Sequence, residues 1–152
     1  MNPPVDLVWI DSEDFRFPEW IELRQVILRD PIGLTYSEED LESERDERHL
    51  IAGDTMGILG GLAVKVVDQG HWKVRQVAVA EIMQGRGLGQ LLMRHMMAAA
   101  QSERVPRILL HSRESVVPFY EKLGFSTVGE GFLEVGIPHR LMEITFPFSS
   151  PA

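Results

Sequence analysis

The chain has 152 residues, no cysteine and a formal charge of −8, with 15 Lys and Arg set against 23 Asp and Glu. At 44% hydrophobic and 25% charged residues, it has the composition of one soluble globular domain, set here at residues 1–152. The missing cysteines exclude a disulfide framework, a thiolate metal site and a cysteine nucleophile, and the acidic balance disfavours nucleic acid and anionic lipid as partners.

No run approaches the ~20 apolar residues that a membrane helix needs. The start, MNPPVDLVWIDSEDF, lacks the basic and apolar regions of a secretory signal, so a cytoplasmic protein is expected. Asp6 to Ile10 reads as a short strand. Phe17 to Leu28 follows as a helix, with Trp20, Leu23 and Ile27 at helical spacing, ending before Pro31. The acidic run from Thr35 to His49 contains a helix start at Ser37, with Asp40 in the capping-box position, and reads as a solvated face.

From Leu50 to Gly70 two β-rich runs are expected, joined at Gly53-Asp54, and Val74 to Val79 continues as a third strand. The three form an antiparallel meander in which Gly57, Gly60 and Gly61 mark bulges or close backbone approach. Leu88, Leu91, Leu92, His95, Met96 and Ala99 then define the apolar stripe of a helix, with His95 read as a packed core histidine. Arg107 to His111 is a buried strand, and Ser115 to Leu123 a short helix stopped by Gly124. Phe125 to Gly129 and Arg140 to Phe146 are expected as a closing strand pair around a long loop, Glu130 to Pro138. The tail FPFSSPA reads as a fraying end. Strand, helix and strand from Val74 to His111 make a βαβ unit with parallel strands, and the whole reads as α/β, a mixed sheet flanked by helices.

Between the third strand and its helix lies Gln84-Gly85-Arg86-Gly87-Leu88-Gly89, whose backbone N–H groups can converge at the positive end of a helix. It is neither a Walker A loop, because Lys-Ser/Thr does not follow, nor G-x-G-x-x-G, because Gln90 stands where the third glycine belongs. The five histidines show no H-x3-H or H-E-x-x-H spacing, so no metal is expected. Ser112 and Ser115 beside His111 lack a G-x-S-x-G elbow.

The stretch VRQVAV-x4-QGRGLGQLL, a strand after the helix, and then VPFYEKLGF resemble the GNAT superfamily of acyl-CoA-dependent N-acetyltransferases. The likeness is strong over Val74 to Phe125, and the element order agrees over almost the whole chain. Gln84, Gly87 and Gly89 match the family signature Q/R-x-x-G-x-G/A. The resemblance implies a mostly antiparallel mixed sheet with one splayed parallel pair, and acetyl-CoA as cosubstrate with coenzyme A as product. It implies that the amides of Gln84, Gly85, Arg86, Gly87, Leu88 and Gly89, with Gln90 adding a contact, take the pyrophosphate. Val77, Ala78 and Val79 would pair with pantetheine, and the Val77 amide would polarise the acetyl carbonyl. Arg86 and Lys122 could add local positive charge.

Tyr120 aligns with the family tyrosine that protonates the leaving thiolate. The i, i+4 pair Phe119 and Leu123 is expected to form the apolar side of its helix and leave Tyr120 pointing elsewhere. Many family members carry a Glu or His base on or beside the strand before the loop, whereas this strand offers Arg75 and Gln76. The remaining candidates for the base are His111, His139 and Glu134. The reading is an N-acetyltransferase acting on a small-molecule primary amine by direct attack in a ternary complex, with a homodimer left open. The alternatives are an acyl-CoA-binding module without turnover and a protein or peptide N-acetyltransferase.

Overall fold

The structure is a computed structural model that describes residues 5–147; part of the tail read as a fraying end lies outside them. Seven strands, β1 (Asp6–Ile10), β2 (Arg48–Asp54), β3 (Gly57–Val66), β4 (Trp72–Val79), β5 (Arg107–Arg113), β6 (Ser126–Glu134) and β7 (Ile137–Thr145), alternate with helices α1 (Phe17–Arg24), α2 (Glu38–Ser43), α3 (Leu88–Ser102) and α4 (Val117–Glu121). The strands follow the order β1-β2-β3-β4-β5-β7-β6. Two compact units result, one running to Lys65 and resuming as Gln76–Met96, the other comprising Val66–Arg75 and the chain from Met97 onward.

In the first unit β1 and β2 pair antiparallel, as do β2 and β3, with a bulge between Ala52 and Gly53. The β2–β3 turn falls at Thr55-Met56 and not at Gly53-Asp54, because the bulge absorbs the glycine and the strand continues to Asp54. A Cβ on Gly61 would stand 2.8 Å from the Leu50 carbonyl oxygen and 2.8 Å from the Trp20 ring, which is why the fully buried Trp20 can lie on the sheet there. At Gly60 a Cβ would come within 3.2 Å of Leu88 and 3.3 Å of Leu92; its absence lets the start of α3 pack close to β3.

The helix expected over Phe17 to Leu28 is broken after Arg24. Gln25–Arg29 forms a wider turn and Asp30–Ile32 a tight one that includes Pro31, ending at Gly33 with φ 71°. Proline is tolerated there because it opens a new turn. The capping box forms as expected, with the Asp40 amide donating to Ser37 Oγ at 3.0 Å and the Ser37 amide donating to Asp40 Oδ2 at 2.9 Å. The acidic run is not wholly a solvated face, however, since Glu44 and Glu47 are buried. The buried stripe of α3 in this unit is Leu88, Leu92, Met93 and Met96, while His95 is exposed. The helix is turned toward the adaptable methionines, and the histidine expected in the core keeps its ring in water.

In the second unit Trp72–Val74 of β4 lie parallel to Ile108–Leu110 of β5, as the βαβ reading requires. β5 pairs antiparallel with β7 from Arg107↔Thr145 to Arg113↔His139. Ile108, Leu110 and Ser112 alternate into the core, which also takes Trp72, Leu123, Phe125 and Met142.

The long loop expected over Glu130 to Pro138 is absent. β6 reaches Glu134, β7 starts at Ile137, and only Val135 and Gly136, at φ 46° and 76°, form the turn. Positive φ at both turn residues is the hairpin geometry that suits the strand twist. The Gly-Glu-Gly segment, which looks like a loop in sequence, is taken up as a bulge between Val128 and Phe132.

Candidate active site

In the first unit, β4 leads into the glycine turn and the turn into α3. Gln84 braces it, its Nε2 donating to the Val79 carbonyl at 3.1 Å. Gly85 and Gly87 have φ of 78° and 83°, and a Cβ on either would meet nothing within 4 Å, so conformation and not crowding selects glycine there. The Leu91 amide bonds back to the Gly87 carbonyl at 3.0 Å, and the amides ahead of it in the first turn of α3 have no intrahelical acceptor. An anion fits this arrangement: open space, positive backbone dipoles and the exposed Arg86. The Gln90 carboxamide lies against the Arg94 guanidinium.

A buried polar network lies beside the β4 segment of the same unit. Arg24 Nη2 donates to Glu44 Oε2 at 2.8 Å, with both side chains almost wholly out of water. The Arg24 and Arg29 guanidinium carbons stand 4.6 and 4.5 Å from the Tyr36 ring centroid. The Tyr36 hydroxyl donates to Gln76 Oε1 at 2.7 Å. Gln76 itself has φ 56°, an uncommon left-handed conformation for a residue inside a strand. The sequence excluded Gln76 as a base, and its carboxamide oxygen is in fact already occupied. Nothing in the acidic run alone pointed to Glu44 as the partner of a buried arginine.

In the second unit Tyr120 is buried, with ring contacts to Phe119 at 5.0 Å and Phe125 at 6.1 Å. The expectation that it points away from the apolar side of its helix is reversed: Tyr120 and Leu123 are buried, whereas Phe119 is half-buried. Burial pushes the phenol up to about 12, so it holds its proton throughout the neutral range. Lys122 is exposed.

The same unit brings His111, Glu134 and His139 together. His111 Nδ1 lies 2.9 Å from Glu134 Oε1, and His139 Nε2 lies 3.4 Å from Glu134 Oε2. Phe132 meets His111 edge-on at 5.0 Å and stacks on His139 at 6.1 Å. Burial acts to raise the Glu134 carboxyl, but the His111 hydrogen bond and the charges of His111, His139 and Lys73 outweigh it and leave the group below its ordinary range. Among the described residues no three His, Asp or Glu converge as a metal set. The sequence supplied the three residues as separate candidates. Phe132 and Lys73 were missed, because only the strand register places them there.

Residues 34–146 match the family model described as an acetyltransferase (GNAT) domain. The chain belongs to the GNAT acetyltransferase family. It is 29% identical over 108 residues to the uncharacterized N-acetyltransferase YjcF of Bacillus subtilis (strain 168), covering 70% of this chain and 76% of that protein. Its fold resembles that of an acyl-CoA N-acyltransferase from Pseudomonas aeruginosa, with a TM-score of 0.79 at 23% identity over 91% of this chain and 98% of the other. It also resembles an aminoglycoside 6'-N-acetyltransferase complexed with coenzyme A, with a TM-score of 0.77 at 16% identity over 95% and 99% of the two chains. This GNAT chain is therefore an acyltransferase with the mixed sheet and single parallel strand pair of its family. Among its described residues no helix is long and apolar enough to cross a membrane.

Proposed function

We propose that residues 1–152 act as one N-acetyltransferase domain that moves the acetyl group of acetyl-CoA to a primary amine of a small molecule. The observation that carries this reading is the glycine turn, where Gly85 and Gly87 hold left-handed φ over open space at the head of a fifteen-residue helix. Such a cradle suits a pyrophosphate and has no other evident structural purpose. Acetyl-CoA supplies the activated thioester when bound.

The chain's own residues take distinct tasks. The amides of Gly85, Gly87, Leu88 and Gly89 bind pyrophosphate, with Gln90 adding a contact and Arg86 adding side-chain charge, whereas the Gln84 and Arg86 amides expected to join them already donate to the Glu81 and Met83 carbonyls. Val77, Ala78 and Val79, beyond the β4–β5 ladder that ends at Val74, offer backbone groups to pantetheine, and the Val77 amide polarises the acetyl carbonyl. Tyr120 carries the proton for the departing thiolate. With no cysteine in the chain, no thiol can hold the acetyl group in between, which favours direct attack by the amine. An acidic protein with a net charge of −8 suits a cationic acceptor.

Calorimetric titration with acetyl-CoA, using ATP and NAD as controls, tests the reading. Saturable binding of acetyl-CoA alone is expected, and Gly87→Ala, which forces a side chain into φ 83°, is expected to weaken it about tenfold, in line with ~1–2 kcal/mol for that conformation. Thiol release is then followed with a panel of small amines and of peptides. Binding without release on any acceptor would identify a carrier module, and release on peptides alone would identify a protein-modifying enzyme.

A further inference from the structure

We propose that Tyr36 is a positioning residue of the transfer reaction, whose hydroxyl pins Gln76 in a left-handed conformation and thereby aims the Val77 amide at the acetyl carbonyl. This role deepens the acetyl-transfer reading and rests on it, and on the Val77 amide in particular.

The path from Tyr36 to the reacting group is short and ends in a covalent link. The Val77 N–H belongs to the planar peptide that joins it to Gln76, and that plane turns with the dihedrals of Gln76. At φ 56° Gln76 lies in the small left-handed region. Relaxation to extended backbone changes φ and ψ together, and so turns the Gln76–Val77 peptide and the N–H it carries. The strand beyond is held in place. Ala78 is buried in a cluster with Ile10, Trp20 and Ile51, and the Ala80 amide donates to the Leu59 carbonyl at 2.8 Å. The direction of the Val77 N–H is therefore left to Gln76.

A glycine would take positive φ unaided, whereas a glutamine keeps it only where its surroundings hold it there. The holding group is Tyr36, whose hydroxyl donates to Gln76 Oε1 at 2.7 Å. Arg24 Nε, which can only donate, reaches the same hydroxyl oxygen at 3.4 Å, so the phenolic proton goes to the carboxamide. Two guanidinium groups lie over the ring, Arg24 at 4.6 Å and Arg29 at 4.5 Å, and Arg24 is itself fixed by Glu44 at 2.8 Å. The Tyr36 backbone is tied as well. Gln25 Oε1 accepts from the Tyr36 amide at 3.4 Å, while Gln25 Nε2 donates to Asp30 Oδ1 at 2.7 Å and to the Leu34 carbonyl at 2.8 Å. Arg24, Gln25, Arg29 and Glu44 thus hold one hydroxyl, and that hydroxyl holds the β4 residue with positive φ, all within the first unit.

The test measures thiol release with acetyl-CoA and an amine for the wild-type protein, Tyr36→Phe, Gln76→Ala, Gln76→Gly and the double variant Tyr36→Phe with Gln76→Gly. Acetyl-CoA affinity is followed by calorimetry and stability by urea unfolding. Tyr36→Phe keeps the ring under both guanidinium groups and removes only the hydroxyl. Its kcat is expected to fall about tenfold, the penalty that an L residue meets in the left-handed region, with the KM of the amine and the affinity for acetyl-CoA unchanged. Gln76→Ala, which keeps a Cβ and loses the anchor, is expected to fall at least as far. Gln76→Gly also loses the anchor but takes positive φ freely, so it is expected to be at least about threefold faster than Gln76→Ala. Adding Tyr36→Phe to Gln76→Gly is expected to change kcat less than about twofold, because the residue it would hold is gone. A purely structural tyrosine would lower stability and leave the kcat of Tyr36→Phe at the wild-type value. A tyrosine that contacts the acceptor would instead raise the KM of the amine, and a Gln76 that contacts it would make Gln76→Gly as slow as Gln76→Ala. Any of these three results overturns the role of Tyr36 while acetyl transfer stands. Absence of thiol release by the wild-type protein with every amine overturns the acetyl-transfer reading and this one with it.

Discussion

At the scale of single residues, burial decides chemistry more than identity does. Tyr120 is packed between two phenylalanines, and its phenol is pushed up to about 12 by the loss of solvent around it. It therefore stays a protonated phenol near neutral pH. Tyr120→Phe preserves the packing, so we expect an unchanged melting temperature, a kcat lowered by about 100-fold, and no change in the position of either pH limb below pH 10, all measured by thiol release. Full activity in that variant across the pH range would remove Tyr120 from the mechanism. The Arg24–Glu44 pair is a second case. Arg24 Nη1 and Glu44 Oε1 are buried without hydrogen-bond partners, so the pair is only partly compensated for leaving water. Glu44→Ala, which strands the arginine, is expected to cost ~3–5 kcal/mol in urea unfolding, whereas replacing both residues by apolar ones of similar size costs far less.

At the scale of elements, the β6–β7 hairpin carries the most information. Its turn puts Val135, a β-branched residue, at φ 46°, where a Cβ is crowded by the backbone. Asn accepts that conformation and is favoured in the first position of such turns. Val135→Asn is therefore expected to stabilise the protein by about 1 kcal/mol in denaturant unfolding. A destabilised variant would contradict the geometry of this turn. The hairpin was not legible in the sequence because Val-Gly is not a strong turn signal and Gly129-Glu130-Gly131 looks like a loop. The glycine turn before α3 was legible, because the positive φ of Gly85 and Gly87 demands the residue type that the sequence shows there.

At the scale of the whole molecule, the net charge of −8 sets a field that acts on any charged acceptor before contact. For a diamine, kcat/KM is expected to fall several-fold between ~0.01 and ~0.15 M salt, as the screening length shrinks from about 30 to about 8 Å. A neutral-amine comparison separates this from general salt effects, and an equal fall for both would rule out steering.

The sequence by itself determined the element order, the parallel β4–β5 pair, the capping box at Ser37 and the family, because each depends on local spacing or on a contiguous motif. Tertiary structure decided which face of α3 is buried, that Glu44 meets Arg24, that Tyr120 is buried against Phe119 and Phe125, and that Glu134 lies between His111 and His139. Those outcomes depend on strand register and on packing between segments far apart in the chain, and one residue of register or a small helix rotation would reverse them.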